Sequence, residues 1–378
     1  MKILAFETSC DDTSIALFEN DVLVAMDTAS QIKIHEQTGG VVPEIAAREH
    51  ANNIFKVLDN VLKNGKDFFV IPAEAGISSK EKHIENNKVT NNLKSNISKD
   101  ISKSSCELID SGSSPEGQLL RSINYIAVTM TPGLMPSLLT GITVARTISI
   151  SLNIPLVEIN HIESHIFSNY IERKEKDITY PLVCLTVSGG HNEIYYMKDM
   201  FDFNKVGGTQ DDSAGEAFDK VAKMMGLGYP GGPIISELAE GYRQNISTNL
   251  FPRSWLQKDE LNFSFSGVKS SVKREVDKRI EKKGELTLED KQEIAFEFQE
   301  AVTEVLATKL VTASEKFGVK TVMLAGGVSA NDRLKEYIEK LIIGKNIKFI
   351  YPIKKVYSMD NAAMVGINAY YKIIKNIL

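Results

Sequence analysis

Two histidines, His161 and His165, stand four residues apart in "NHIESHIF", in a chain with only six histidines among 378 residues. On a helix, positions i and i+4 share a face, so both rings can point at one ion. With a distant carboxylate they would make a three-ligand site with open positions, suited to iron or zinc. Chance placement on a helix gives the same spacing, and the pair alone leaves both readings open. It does not make a metalloprotease. HExxH needs a glutamate directly after the first histidine as general base, whereas Glu163 comes two residues later, on another face. The HxxEH order fails as well.

Three glycine-rich turns are the next candidates: "SGGH" at 188–191, "YPGGP" at 229–233 and "AGGVSAN" at 325–331. One such turn is most simply a tight hairpin. Several of them offer backbone N–H groups with no side chain in the way, which suits a phosphate, a carboxylate or a nucleotide edge. None is a P-loop or a GxGxxG motif. The acidic stretch "DDSAGEAFDK" at 211–220 reads as helix-start charge in its first residues. Asp219, two turns in, could instead orient a ribose or bind a metal. The basic stretch 269–283 could meet a nucleic-acid backbone, but Glu275, Asp277 and Glu281 lie within it, as on a solvated helix face.

These residues need strands and helices to position them. "ILAF" and "SIALF" predict strands on either side of the polar turn "ETSCDDT", and "YPLVCLTVSGGHNEIYYM" repeats strand, turn, strand. Helical spacing covers 44–62, and "SLLTGITVARTISISL" reads as a further helix. The last helix is placed after "SMDNAAMVG", with Asp360 at or near its start. Strands alternating with helices, and one strand-turn-strand unit used twice, predict an α/β protein of two similar lobes. The segment from about 66 to 116, rich in Ser, Asn and Lys, fits no element and reads as an insertion. Hydrophobic residues are 43% and charged residues 25%, as in ordinary globular proteins. No run is read as long enough to cross a bilayer, and no signal peptide opens the chain. Three scattered cysteines without a CxxC pair fit a reduced, cytoplasmic protein. A net charge of -5 does not favour gripping nucleic acid over the whole surface.

Taken together, "ETSCDDT", "QIKIHEQTGGVVPEIAAREH", "NHIESH", "VSGGHNEI", "DDSAGEAFDKVAKMMGLGYPGGP", "FSFSGVK", "AGGVSAN" and "MDNAAM" occur in an order and spacing that resembles the bacterial TsaD family of tRNA threonylcarbamoyladenosine transferases. The resemblance runs over nearly the whole chain outside the inserted segment. It implies the two-lobed actin/hexokinase/heat-shock-ATPase-like fold with a duplicated βββαβα core. Lobe I is expected at 1–159 plus 361–378, and lobe II at 160–360. It also implies one divalent metal per subunit, iron (Fe2+) or else zinc, held by His161, His165 and Asp360.

The implied reaction is acyl transfer from threonylcarbamoyl-adenylate to N6 of the adenosine 3′ of the anticodon, in tRNAs reading A-starting codons, with release of AMP. Carried over residue by residue, the substrate-binding positions are Thr186, Val187, Ser188, Gly189, Gly190, Asp219, Gly232 and Asn331. Asp11 is the candidate catalytic or adenosine-orienting carboxylate, and His191 contributes by shape. Expected partners are tRNA, a shorter related TsaB-type protein and a small TsaE-type ATPase, with no membrane. Two departures stand out. Thr131 replaces the first glycine of the family's Gly-Pro-Gly, and "FFVIPAEAGISSK" resembles a translated repeat element of some obligate intracellular bacteria. Rival readings are an ATPase or kinase of the same fold, which gives the histidine pair no task, and a non-catalytic scaffold, which should lack both the pair and the glycine turns.

Overall fold

The computed structural model describes residues 1–69, 114–243, 247–256 and 260–378. Strands β1 (Lys2–Glu7), β2 (Asp12–Glu19) and β3 (Val22–Ser30) form an antiparallel meander. Strands β4 (Tyr125–Thr131) and β5 (Leu156–Asn160) add in parallel beside β1, giving the order β3-β2-β1-β4-β5. Strands β6 (Leu182–Val187), β7 (Asn192–Met197) and β8 (Phe203–Gly208) repeat the meander, and β9 (Thr321–Ala325) and β10 (Lys348–Ile350) repeat the parallel additions. The second sheet runs β8-β7-β6-β9-β10, the first sheet's pattern over again. This is the two-lobed, duplicated βββαβα architecture of the actin/hexokinase/heat-shock-ATPase-like class.

The helices are α1 (Ile32–Glu36), α2 (Pro43–Phe69), α3 (Pro115–Arg121), α4 (Met135–Leu152), α5 (His161–Phe167), α6 (Ala214–Met224), α7 (Gly231–Glu240), α8 (Ser266–Lys283), α9 (Leu288–Phe317), α10 (Asp332–Ile342) and α11 (Ala362–Ile374). The central strands are apolar at nearly every position because both faces are covered. In β1, Leu4 and Phe6 join a core with α2, α3 and α4, while Ile3 and Ala5 point the other way. In β6, Val183 and Leu185 pack with α6 to α9, while Leu182 and Cys184 point back. The inward faces of both sheets share one core with α5 and α11, whose Ile166, Phe167, Met364 and Ile367 fill the space between. The middle layer is thus a pair of helices clasped by two sheets.

Two expectations need correction. The last helix begins inside "SMDNAAMVG", at Ala362, because the Asn361 side chain accepts from the backbone N–H of Met364 at 3.1 Å and caps it there. Among the described residues one helix, α4, is long and apolar enough by composition to cross a membrane. It packs on α2 and β4 instead, with Leu138, Ile142, Ala145 and Ile148 buried. As expected of helix-start charge, Asp211 and Asp212 stand just before α6, whose cap is Ser213 through Glu216 N–H. Asp211 accepts from Ser264 Oγ and Phe265 N–H, and Asp212 pairs with Lys220 and Lys269. They fasten α6 to the start of α8.

Apart from its two ends, the inserted segment lies outside the described residues, as do His83 and Cys106. At those ends Lys66 Nζ meets Glu116 Oε1 at 2.6 Å, so the chain leaves α2 and enters α3 at one place.

Candidate active site

Strand β5 runs directly into α5. The Asn160 side chain accepts from Ile162 and Glu163 N–H at 2.8 and 3.1 Å, which starts the helix at His161 itself. His161 and His165 then sit one above the other, ring centroids 4.6 Å apart and planes at 77°. Their Nε2 atoms lie 3.6 and 3.1 Å from Asp360 Oδ1. Asp360 arrives from the far end of the chain, two residues before α11. The three ligand atoms lie within 4.8 Å of one another.

The donor set fits a divalent cation. His165 is fully buried; its Nε2 lies 3.1 Å from Asp360 Oδ1, outside hydrogen-bond geometry, and its Nδ1 has no partner. A buried imidazole so poorly satisfied is costly unless something else completes it. Burial disfavours the Asp360 carboxylate, but His161 and His165 outweigh burial and hold it well below the carboxylate range. Burial likewise opposes charge on His161, but Asp360 and then Glu7 raise its pKa to about 9. This buried His-His-Asp group could hold a metal.

Around it lie polar groups from both lobes. Glu7, at the end of β1, is fully buried and within 3.2 Å of His161 Nδ1. Asp11 follows in the β1–β2 turn, where burial pushes its carboxyl up. Burial and the charge of Asp11 together raise Asp219, on α6 of the other lobe. Burial, Asp11 and Asp219 all raise the Tyr229 hydroxyl, so these three face one region. Burial, and next the charge of His161, depress His191.

The glycines divide into two sets. A side chain at Gly189, Gly190, Gly232 or Gly327 would meet nothing within 4 Å, so these backbones face open space. A side chain at Gly215 would lie 2.6 Å from Ser188 O, and at Gly231 2.6 Å from Phe218 O. The second set lets helices press against the turns that carry the first. Gly326 combines close packing with a φ of +87°, a conformation that favours glycine. The turn 188–191 is closed by Ser188 N–H to His191 O at 2.8 Å and fastened by Ser213 Oγ to Gly189 O at 2.5 Å.

The structure brings His161, His165 and Asp360 together; the charge of Asp360 acts on Asp11, and that of Asp11 on Asp219. Thr186 and Val187 are buried strand residues. Asp219 Oδ1 accepts from Gly231 N–H at 2.7 Å, fixing the start of α7. Asn331 spends its amide internally: Oδ1 caps α10 through Leu334 N–H, and Nδ2 donates to Ser236 Oγ and Gln299 Oε1. Thr131, in place of a glycine, precedes a cis proline, and the turn still seats Gly133 against Ser9. Sequence reasoning missed Glu7, Ser213 and Gly215. For Glu7 a signal existed, since a glutamate ending the apolar run "ILAF" must be buried with a partner.

The sequence pattern of the family described as TsaD: tRNA N6-adenosine threonylcarbamoyltransferase matches residues 22–66 and 101–367. The tRNA N6-adenosine threonylcarbamoyltransferase of Persephonella marina is 40% identical over 374 residues, covering 98% of this chain and 90% of that protein. The enzyme of the same name from Kosmotoga olearia is 37% identical, covering 100% of this chain and 95% of that one. Among solved structures, component A of the Acidaminococcus fermentans (R)-2-hydroxyglutaryl-CoA dehydratase aligns over 99% of each chain, with a TM-score of 0.47 and 12% identity. With the two-lobed fold and the His-His-Asp group in place, the chain belongs to the TsaD family of tRNA N6-adenosine threonylcarbamoyltransferases.

Proposed function

We propose that this enzyme takes threonylcarbamoyl-adenylate as donor and carries its threonylcarbamoyl group to N6 of the adenosine 3′ of the anticodon, in tRNAs reading A-starting codons. The N6 nitrogen attacks the carbamoyl carbon, a C–N bond forms, the C–O bond to phosphate breaks, and AMP departs with the electron pair. An exocyclic aromatic amine is a weak nucleophile, so positioning and carbonyl polarisation carry the acceleration. A divalent ion at His161, His165 and Asp360, iron by preference and zinc as the alternative, would supply Lewis acidity.

The chain's own residues do the rest. The open backbones of Gly189, Gly190 and Gly232 receive the nucleotide and threonyl parts, with Thr186, Val187 and Ser188 carrying the first turn. Asp219 orients the ribose with the oxygen that does not hold Gly231. Asn331 supports binding by fixing the turn that begins at Gly326. Asp11 accepts a hydrogen bond, and finally the proton, from N6. Lobe I comprises 1–159 with 361–378 and lobe II 160–360, so the cleft between them receives the anticodon loop. The apolar groove between α2 and α4, lined by Ile54, Phe55, Leu139 and Val144, is the face offered to the shorter TsaB-type partner. A small TsaE-type ATPase joins them. The setting is cytoplasmic, with α4 in protein and not in lipid.

The observation that carries this reading is the buried His-His-Asp group beside glycine backbones that face open space. Reconstitution tests it. Unmodified tRNA, threonine, bicarbonate, ATP, the synthase and the partners are mixed with wild type or His161→Ala/His165→Ala protein, and digested nucleosides are measured by mass spectrometry. Threonylcarbamoyladenosine from wild type alone is the expected result. Equal product from a folded double variant would remove the metal group from the mechanism.

A further inference from the structure

One buried carboxylate near the site binds no substrate in the scheme above and cannot be a metal ligand, because its place is on the wrong side of an imidazole. Glu7 has no exposed surface. Its Oε1 accepts from Ser9 N–H at 2.5 Å. Its Oε2 accepts from Thr129 Oγ1 at 2.6 Å and lies 3.2 Å from His161 Nδ1. Ser9 Oγ is also 3.1 Å from that nitrogen. The opposite nitrogen, Nε2, faces His165 and Asp360.

The burial of Glu7 is unfavourable unless every lone pair it can offer is used and a positive or donating neighbour is present. Its three partners, Ser9, Thr129 and His161, belong to separate elements: the β1–β2 turn, β4 and α5. A carboxylate so fastened cannot swing away, so it dictates what the ring opposite must do. An ionised carboxylate only accepts hydrogen bonds. Nδ1 of His161 must therefore carry a proton toward it, and the free lone pair of the neutral ring is left on Nε2, where Asp360 and His165 converge.

We propose that Glu7 is a positioning residue for the metal centre: it fixes the tautomer and the ring orientation of His161, and by doing so sets the affinity of the His161–His165–Asp360 group for a divalent cation. The assignment rests on the metal reading of that group. Glu7→Gln separates the role from simple packing, because the side chain keeps its size. The single amide oxygen keeps the bond from Ser9 N–H, and the NH2 group then faces Thr129 and Nδ1. Thr129 can turn its hydroxyl to accept. His161 must then accept at Nδ1 and carry its proton on Nε2, which removes the ligand lone pair from the cluster.

The test uses the full chain and zinc as the probe. Zinc affinity is measured by competition with a chromophoric chelator for wild type, Glu7→Gln and His165→Ala. In parallel, selective 15N labelling of the six histidines reads the ring nitrogens of the zinc-loaded protein. Loss of such an outer carboxylate weakens metal binding by roughly 10–100-fold, and that drop is expected for Glu7→Gln with an unchanged thermal melting profile of the metal-free protein. Wild type should show Nε2 of His161 coordinated and Nδ1 protonated. Affinity within about twofold of wild type for a folded Glu7→Gln would overturn the proposal. Coordination of wild-type His161 through Nδ1 would also overturn it, and this measurement needs no variant to fold. Equal zinc affinity of His165→Ala and wild type would instead sink the underlying metal reading, so the two failures are distinguishable.

Discussion

Asp12 offers a sharp test of how the cleft is built. It opens β2, and its Oδ1 is buried with no partner. Burial, opposed by a hydrogen bond from Ser30 and reinforced by the charges of Asp11, Asp360 and Glu7, moves its carboxyl up to about 7. In the unfolded chain the value is ~3.9. The folded pKa is the higher one, so folding favours the protonated acid. The resulting penalty is absent below pH ~4, grows between ~4 and ~7, and is fully present above that window. A gap of about 3 units corresponds to ~4 kcal/mol, and the remaining access to solvent brings the expected cost to roughly 2–4 kcal/mol. Asp12→Asn keeps the shape and removes the charge. For a chain of this length ~1–2 °C per kcal/mol is expected, so the variant should melt about 2–8 °C above wild type at pH 8 and level with it at pH 4. Scanning calorimetry across pH 4 to 8, with chelator present, is the assay. Parallel melting curves at all pH values, or a variant less stable at pH 8, would refute the claim that Asp12 is a buried charge held against its preference.

Three other substitutions test the parts that hold the turns. Gly326→Ala puts a Cβ 2.4 Å from Val187 O at a φ of +87°, so urea unfolding should show a loss of about 2–4 kcal/mol, and a loss under ~0.5 would show that the turn can shift freely. Ser213→Ala removes both the α6 cap and the bond to Gly189 O. It should cost ~1 kcal/mol of stability and raise KM for the adenylate donor about fivefold, with little change in kcat, measured in the reconstituted reaction. Asp290 accepts from Thr287 N–H and Oγ1 at the start of α9 and pairs with Lys283 and Arg279, which holds its carboxyl below the usual range against the effect of burial. Its contribution is present above pH ~4 and fades as the pH falls toward the folded value. Asp290→Ala should therefore cost ~1–3 kcal/mol at pH 7 by chemical denaturation and progressively less in acid.

The sequence made the duplicated strand-turn-strand units visible because their strands are buried on both faces and read as apolar runs. Strand β3 is harder to see. Only Ala25 of its nine residues is buried, so it has no clear hydrophobic pattern and is held by its pairing with β2. The histidine pair was legible because i and i+4 is a local relation. Asp360 was not, since no pattern in the chain ties it to His165, and it entered only through resemblance. Asp211 and Asp212 were legible as helix-start charges because local rules see helix ends, but their partners were not: Phe265 just before α8 and Lys269 within it. The packing glycines Gly215 and Gly231 resemble the open ones in sequence. Only the neighbouring backbones separate them.

The positions of the three side chains that could hold a metal follow from the duplication itself. Each sheet is complete within one stretch of chain, and the chain passes between the sheets twice. It leaves the first sheet at β5, where Asn160 starts α5 and presents His161 and His165. It leaves the second sheet at β10 and returns through residues 351–361 to α11, presenting Asp360 just before Asn361 starts the helix. Both passages begin middle-layer helices, and α5 and α11 pack on each other and on the inward faces of the two sheets. Polar residues are costly within the apolar layer. Several gather where the strands end: Glu7 closing β1, Thr129 near the end of β4, His161 after β5 and Ser188 after β6. A cation bound by all three ligands would join the outgoing and returning passages, with Glu7 of β1 holding one ring from behind. The same atoms that could bind the ion therefore lie on the two connections between the sheets.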